Sequence, residues 1–215
     1  MQQIGRKMKT LFDEAHKVSK QFDNATLSAD LNKLKELVEN VESDIEKHDS
    51  FYRAAMYYSL ATATSEIYKL EQKDGVVSKK DFLQKELYYY RKTIDLFSSE
   101  EFINAANKGE VISLKASVYT NYENALGNCG RKISAIEQYY KSLEVYPTFA
   151  MAYGNLGLAY MHYAMFLPQN KGYIRDCLNN FAYKHLNYAI NSKDPNIHDE
   201  AKVYYVGHLA LIEPF

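Results

Sequence analysis

Four asparagines carry the most suggestive chemistry in this sequence. Asn121, Asn124 and Asn128 recur at spacings of three and four, and Asn155 stands further along. On a helix such a spacing gathers side chains into one strip. A carboxamide donates and accepts at once, so it matches the N–H and C=O of an extended peptide together. Each such bond contributes only about 0.5–1.5 kcal/mol net, so several must act together. Met151, Tyr153 and His162 would stand beside the strip as specificity residues, and Lys115 and His162 could offer positive or switchable charge to an acidic ligand. The same amides are equally suited to tying neighbouring helices together, and Asn128 to closing a helix. The sequence leaves both roles open.

Catalytic chemistry is thin by comparison. The six histidines (16, 48, 162, 185, 198 and 208) form no HExxH motif and no Cys/His cluster with zinc spacing. His198, Asp199 and Glu200 look like a ligand set, but beside Pro195 they read better as the polar first turn of a helix. No phosphate-binding GxxxxGK[ST] loop, GxGxxG turn or GxSxG elbow is present. The expectation is a protein without enzymatic activity, metal or cofactor. Twenty tyrosines suggest base stacking, yet 26 basic residues face 27 acidic ones and make no basic groove. Tyr88, Tyr89 and Tyr90 would point in three directions around a helix. Direct nucleic-acid binding is therefore not expected.

The elements that must position these residues are helices. In 215 residues, nine Gly and four Pro are too few for the many turns of a sandwich or barrel. Ile4, Met8, Leu11, Ala15, Val18 and Phe22 alternate spacings of four and three, as do Leu31, Leu34, Val38, Val41 and Ile45. Between them "DNATLS" reads as a break, with Ser28 as cap of the second helix. Asp49 or Ser50 opens a third helix. "KDGVVS" is a short connection, and Ser78 caps a fourth helix to about Leu96. "SSEEFINAANKGE" is a helical excursion or loop. Further helices are expected over about 109–129, 131–145, 148–166, 172–192 and 197–212. "MQQIGRKMKTLFDEAHK" lacks the apolar core of a signal peptide, and no apolar run approaches the roughly 20 residues of a membrane span. Cys129 and Cys177 form no CxxC pair, which fits reduced thiols in a cytoplasmic protein.

The helices repeat. Tyr119, Asn121, Tyr122 and Leu126 recur 34 positions later as Tyr153, Asn155, Leu156 and Tyr160. Between them lie Gly130, Ala135, Tyr139, Leu143 and Pro147. This pattern resembles the tetratricopeptide repeat, a 34-residue helical hairpin with a small/aromatic/Pro signature. The resemblance implies an all-α superhelix in which Ala135 and Gly157 let paired helices close up. Tyr139 and Tyr160 would fill the adjacent space, and Pro147 would stop a helix. It also implies that Asn121, Asn124, Asn128 and Asn155 face a concave groove, the place where such proteins grip a peptide backbone. The organisation expected is a single domain: an N-terminal hairpin (1–48), a degenerate repeat (50–96), the best repeat (116–149), an extended repeat (150–192) and a closing helix (197–215).

A narrower resemblance covers about 116–192. "NYENALGNCGRKISAIEQYYKSLEVYPTFAMAYGNLGLAYMHYA" is similar to the repeat region of bacterial proteins that carry a C-terminal HEPN ribonuclease module. That family's catalysis needs an Arg and a His at R-x4–6-H. No histidine here has an arginine at that spacing, and Arg175 and His185 are too far apart. The resemblance thus implies the repeat half without the nuclease. The functional expectation is a protein- or peptide-binding sensor or regulatory part of a toxin or antiviral defence system. The alternatives are an all-α ribonuclease with unrecognised catalytic residues and a receptor for a signalling peptide. "AKVYYVGHLALIEPF" is apolar to its end, which is expected of a chain that continues or a helix that docks on a partner.

Overall fold

The computed structural model describes residues 2–72, 79–105 and 108–212. Among them every regular element is helical: α1 (Gln2–Leu27), α2 (Leu31–Asp44), α3 (Ser50–Gln72), α4 (Lys79–Leu96), α5 (Glu100–Asn104), α6 (Gly109–Asn128), α7 (Lys132–Val145), α8 (Ala150–Phe166), α9 (Gly172–Asn191) and α10 (Asp199–Leu209). Short 3-10 turns at Ile45–Lys47 and Gln169–Lys171 precede α3 and α9. Helices adjacent in the chain pack as neighbours, most extensively α3 with α4 and α8 with α9. The chain divides into two compact units, Met1–Leu114 and Lys115–Phe215.

In the first unit α3 is the hub, packing on α1, α2, α4 and α5. Ala54, Leu60 and Ala61 are fully buried, and small residues here let α3 carry neighbours on several sides. Phe51 and Phe97 both pack on the buried ring of Phe102, at centroid distances of 4.4 and 5.2 Å. Two of the three consecutive tyrosines, Tyr89 and Tyr90, belong to this core, while Tyr88 is half-exposed. The Tyr89 hydroxyl donates to Glu42, and the Tyr57 hydroxyl donates to Glu46.

The expected break at "DNATLS" is not there. α1 runs through it to Leu27, and Ser28 Oγ turns back to donate to the Asn24 and Ala25 carbonyls. The chain reverses at Ala29, whose φ of 51° is left-handed, and Asp30 is the cap. Its carboxylate accepts from the Lys33 backbone N–H at 2.9 Å. Ser28 loses the role because a serine in the last turn of one helix cannot also sit at the Ncap of the next. Asp49 holds α3 as anticipated, accepting from the backbone N–H groups of Phe51 and Tyr52. The connection 73–78 with Ser78, the side chains of Ile4, Met8 and Leu11, and residues 213–215 of the terminal segment lie outside the described set.

In the second unit α6 and α7 are locked by a buried hydroxyl. Ser142 Oγ donates to the Ala116 carbonyl at 2.9 Å and accepts from Thr120 Oγ1 at 3.0 Å. The turn between these helices passes through Gly130 at φ 78°, where the Arg131 N–H reaches back to the Leu126 carbonyl. That six-to-one bond closes a Schellman motif, which a β-carbon at Gly130 would strain. α7 ends at Val145, two residues before Pro147. α8 closes on α9 through Gly157: a β-carbon there would lie 2.8 Å from Leu186 Cγ and 3.1 Å from the Ala182 carbonyl oxygen. It closes on α10 through Gly154, where a β-carbon would enter the Tyr205 ring.

Candidate functional site

Within the second unit, α6, α7, α8 and α10 line a half-open cavity of about 400 Å³. Asn124 and Asn128 reach it from α6, and Asn155 and His162 reach it from α8. Gly127, Ala135, Leu158 and Ala159 form its apolar wall, Tyr139 its side and Tyr204 a rim. Four of the residues singled out for hydrogen-bonding chemistry therefore share one space. Asn121 and Tyr153 are not in the lining. Asn121 is half-buried elsewhere on α6. Tyr153 turns toward α9, where its ring lies 4.2 Å from that of Tyr188 and its hydroxyl donates to the Pro147 carbonyl. Lys115 also lies away from the cavity, and burial lowers the pKa of its ammonium.

A chain of hydrogen bonds fixes the cavity wall. Tyr139 Oη donates to Asn124 Oδ1 at 2.8 Å, and Asn155 Nδ2 donates to the same oxygen at 3.3 Å. Tyr205 Oη donates to Asn155 Oδ1 at 2.7 Å. Four helices are thus joined through two amide oxygens, and Asn124 and Asn155 tie helices together as well as facing the cavity. Asn128, exposed at the end of α6, stands outside that chain of bonds.

Glu123 was not among the sequence candidates, yet it is the strongest electrostatic feature of the site. It lines the cavity at 3 % exposure. Its Oε2 is buried and makes no hydrogen bond among the described residues. Burial pushes its carboxyl up to about 8, opposed by the nearby Tyr139 hydroxyl. At neutral pH the group is therefore mostly a protonated acid that can both donate and accept. Burial, and next the Glu123 carboxyl, hold the Tyr139 phenol well above its ordinary value. The signal was present in the sequence: Ala116, Thr120 and Glu123 fall at spacings of four and three, and all three are buried.

The rest of the second unit offers surface more than site. His198 precedes α10, with Asp199 and Glu200 in its first turn, where the positive end of the helix favours acids. α10 buries Tyr205 and leaves Val203, Tyr204 and Val206 exposed. Arg175 closes the end of α8 by donating to the Ala164 and Leu167 carbonyls.

No helix among the described residues is long and apolar enough to cross a membrane. No protein-family model matches the chain, and no curated protein matches it. Among solved structures, the crystal structure of BtubC (BKLC) from P. vanneervenii aligns with a TM-score of 0.51 at 15% identity, covering 94% of this chain and 82% of that one. At that identity the likeness is one of all-helical fold.

Proposed function

We propose that this chain is a non-catalytic, tetratricopeptide-like helical module that binds a peptide segment of another protein at the cavity between α6 and α8. One observation carries the reading: Asn124, Asn128, Asn155 and His162, selected for their chemistry, come from two helices and line one space. The 34-residue offset that pairs Asn121 with Asn155 also pairs α6 with α8, as consecutive repeats require. A helical-repeat arrangement is further supported by the neighbour-to-neighbour packing of helices and by the fold likeness across most of the chain. The similarity of 116–192 to the repeat regions of bacterial HEPN-bearing proteins supports a sensor or regulatory role in a toxin or defence system.

Asn128 gives the cleanest test because it lies outside the hydrogen-bond chain that joins the helices. Peptides selected from a random displayed library against the full chain should compete for one site. Asn128→Ala should weaken them roughly fivefold, the equivalent of about 1 kcal/mol, with an unchanged melting temperature. A library that yields no competing binders, or binders indifferent to Asn128→Ala, overturns the reading. Metal-independent RNA cleavage by the purified chain would do so too.

A further inference from the structure

The wall of the pocket holds a carboxyl group with one oxygen left unmet. Glu123 Oε2 is buried and without a hydrogen-bond partner among the described residues. Asn155, whose Oδ1 accepts one hydrogen bond from Tyr205 and has a second lone pair, lines the same space. The described lining contains no lysine or arginine. Its apolar part (Gly127, Ala135, Leu158 and Ala159) suits the methylene stem of a long side chain, whose charged head would then meet the carboxylate. A volume of about 400 Å³ falls at the low end of ordinary ligand pockets. It suits one side chain rather than a whole cofactor.

The repeat offset explains why a cavity exists at this place. Thirty-four positions before Gly157 stands Glu123. At Gly157 the missing side chain lets α8 approach α9 so closely that Leu186 and Ala182 would touch a β-carbon. At the equivalent place on α6 the sequence puts a carboxyl group instead, buried against Tyr139 of α7. A position suited to close packing has been given to a group that is costly to bury unless it is fully paired, and the Tyr139 hydroxyl meets the carboxyl while its Oε2 stays unmet. A partner that arrives from outside would supply the pairing.

We propose that the α6–α8 cavity is a cation subsite that accepts an arginine or lysine side chain of the bound peptide, with Glu123 as its counter-charge. The proposal rests on the peptide-binding reading above and names the side chain that would anchor it. Arginine suits the site better, because its planar fork can meet Glu123 and the Asn155 oxygen together. Binding must take the proton off Glu123, since only the carboxylate pairs with the cation. Affinity therefore rises with pH. With the carboxyl at about 8, the gain between about pH 7 and pH 9 is roughly tenfold. The other titratable groups facing Glu123 are Tyr139 on α7, His162 on α8 and Tyr204 on α10. Of these residue types, histidine ordinarily changes charge below pH 7 and tyrosine ordinarily above pH 9. A charged His162 would repel the same cation, so a His162→Gln variant separates its contribution.

The test uses the full chain and two probes, Nα-acetyl-arginine methylamide and its neutral isostere Nα-acetyl-citrulline methylamide, followed by calorimetry in buffers of different ionisation enthalpy. The arginine probe should bind at least tenfold more tightly than citrulline, release close to one proton at neutral pH, and strengthen about tenfold from pH 7 to pH 9. Glu123→Gln should abolish both the preference and the pH slope, while His162→Gln keeps the slope. Equal affinity for the two probes, no arginine binding up to its solubility limit, or a slope that survives Glu123→Gln each overturns the subsite. Selected peptides that bind equally well with citrulline in place of arginine would sink the cation subsite and leave the peptide groove standing. Binding of the arginine probe by a chain that selects no peptides would do the reverse.

Discussion

Replacing Glu123 by glutamine should make the protein more stable, and increasingly so as pH rises. In the folded chain the carboxyl titrates at about 8 against an ordinary value of 4.5, because it is buried. An acid whose folded pKa is raised binds its proton more tightly when folded. Its stabilising effect is complete below pH 4.5 and is lost as pH climbs toward 8. Taken in full, the shift corresponds to about 5 kcal/mol opposing folding above pH 8. Water entering the cavity screens the charge and reduces that figure. The growth expected in the mutant's advantage between about pH 5 and pH 9 is thus about 2–4 kcal/mol. Glutamine imitates the protonated acid, so the two proteins should be within about 1 kcal/mol of each other at pH 5. Glu86 in the first unit is also buried and raised, to about 7, but it is present in both proteins and cancels in the difference. Urea unfolding followed by circular dichroism at several pH values gives the two curves. If they run parallel from pH 5 to pH 9, Glu123 is not a desolvated carboxyl and the account of the cavity fails.

Two further substitutions probe the helix contacts that shape the site. Gly157→Ala would put a β-carbon 3.0 Å from the Leu186 backbone nitrogen, which cannot yield as a side-chain tip does. A loss of about 1–3 kcal/mol is expected in chemical unfolding, and an unchanged midpoint would mean that α8 and α9 are not in close contact there. Asp194 holds the start of α8 from 44 residues away, accepting from the Ala150 N–H at 2.8 Å through one oxygen and from the Asn196 N–H at 2.9 Å through the other. Asp194→Ala should lower stability by about 1–2 kcal/mol, with early hydrogen exchange at the first turn of α8. Exchange there at the wild-type rate would refute the tether.

The helical class and most helix positions were legible because apolar residues at spacings of three and four leave no other economical arrangement. α7 to α10 fall within a few residues of their expected limits, since Gly130, Pro147 and the polar turn at His198 mark ends that the backbone must respect. What the periodicity could not resolve was competition between local signals. Ser28 and Asp30 both suit a cap, and the choice depended on where α1 chose to stop.

The site shows the same limit in sharper form. Asparagines at regular spacing were easy to see, and three of the four reach the cavity. Tyr153 stands beside the asparagines in sequence, but its ring packs against Tyr188 of α9 and it does not line the cavity. A glutamate in "NYENALGN" has the look of an ordinary solvated helix residue. Its meaning lies in what is missing. Thirty-four positions before Gly157, which is pressed against α9, stands a carboxyl whose Oε2 has no hydrogen-bond partner among the described residues. A repeat sequence states what packing requires at each position. A residue that breaks that requirement in a well-packed array must either be a fault in the packing or be the place where something else binds. The buried Oε2 without a hydrogen-bond partner among the described residues, set in the wall of a half-open cavity whose lining holds no lysine or arginine, makes binding the physically economical account.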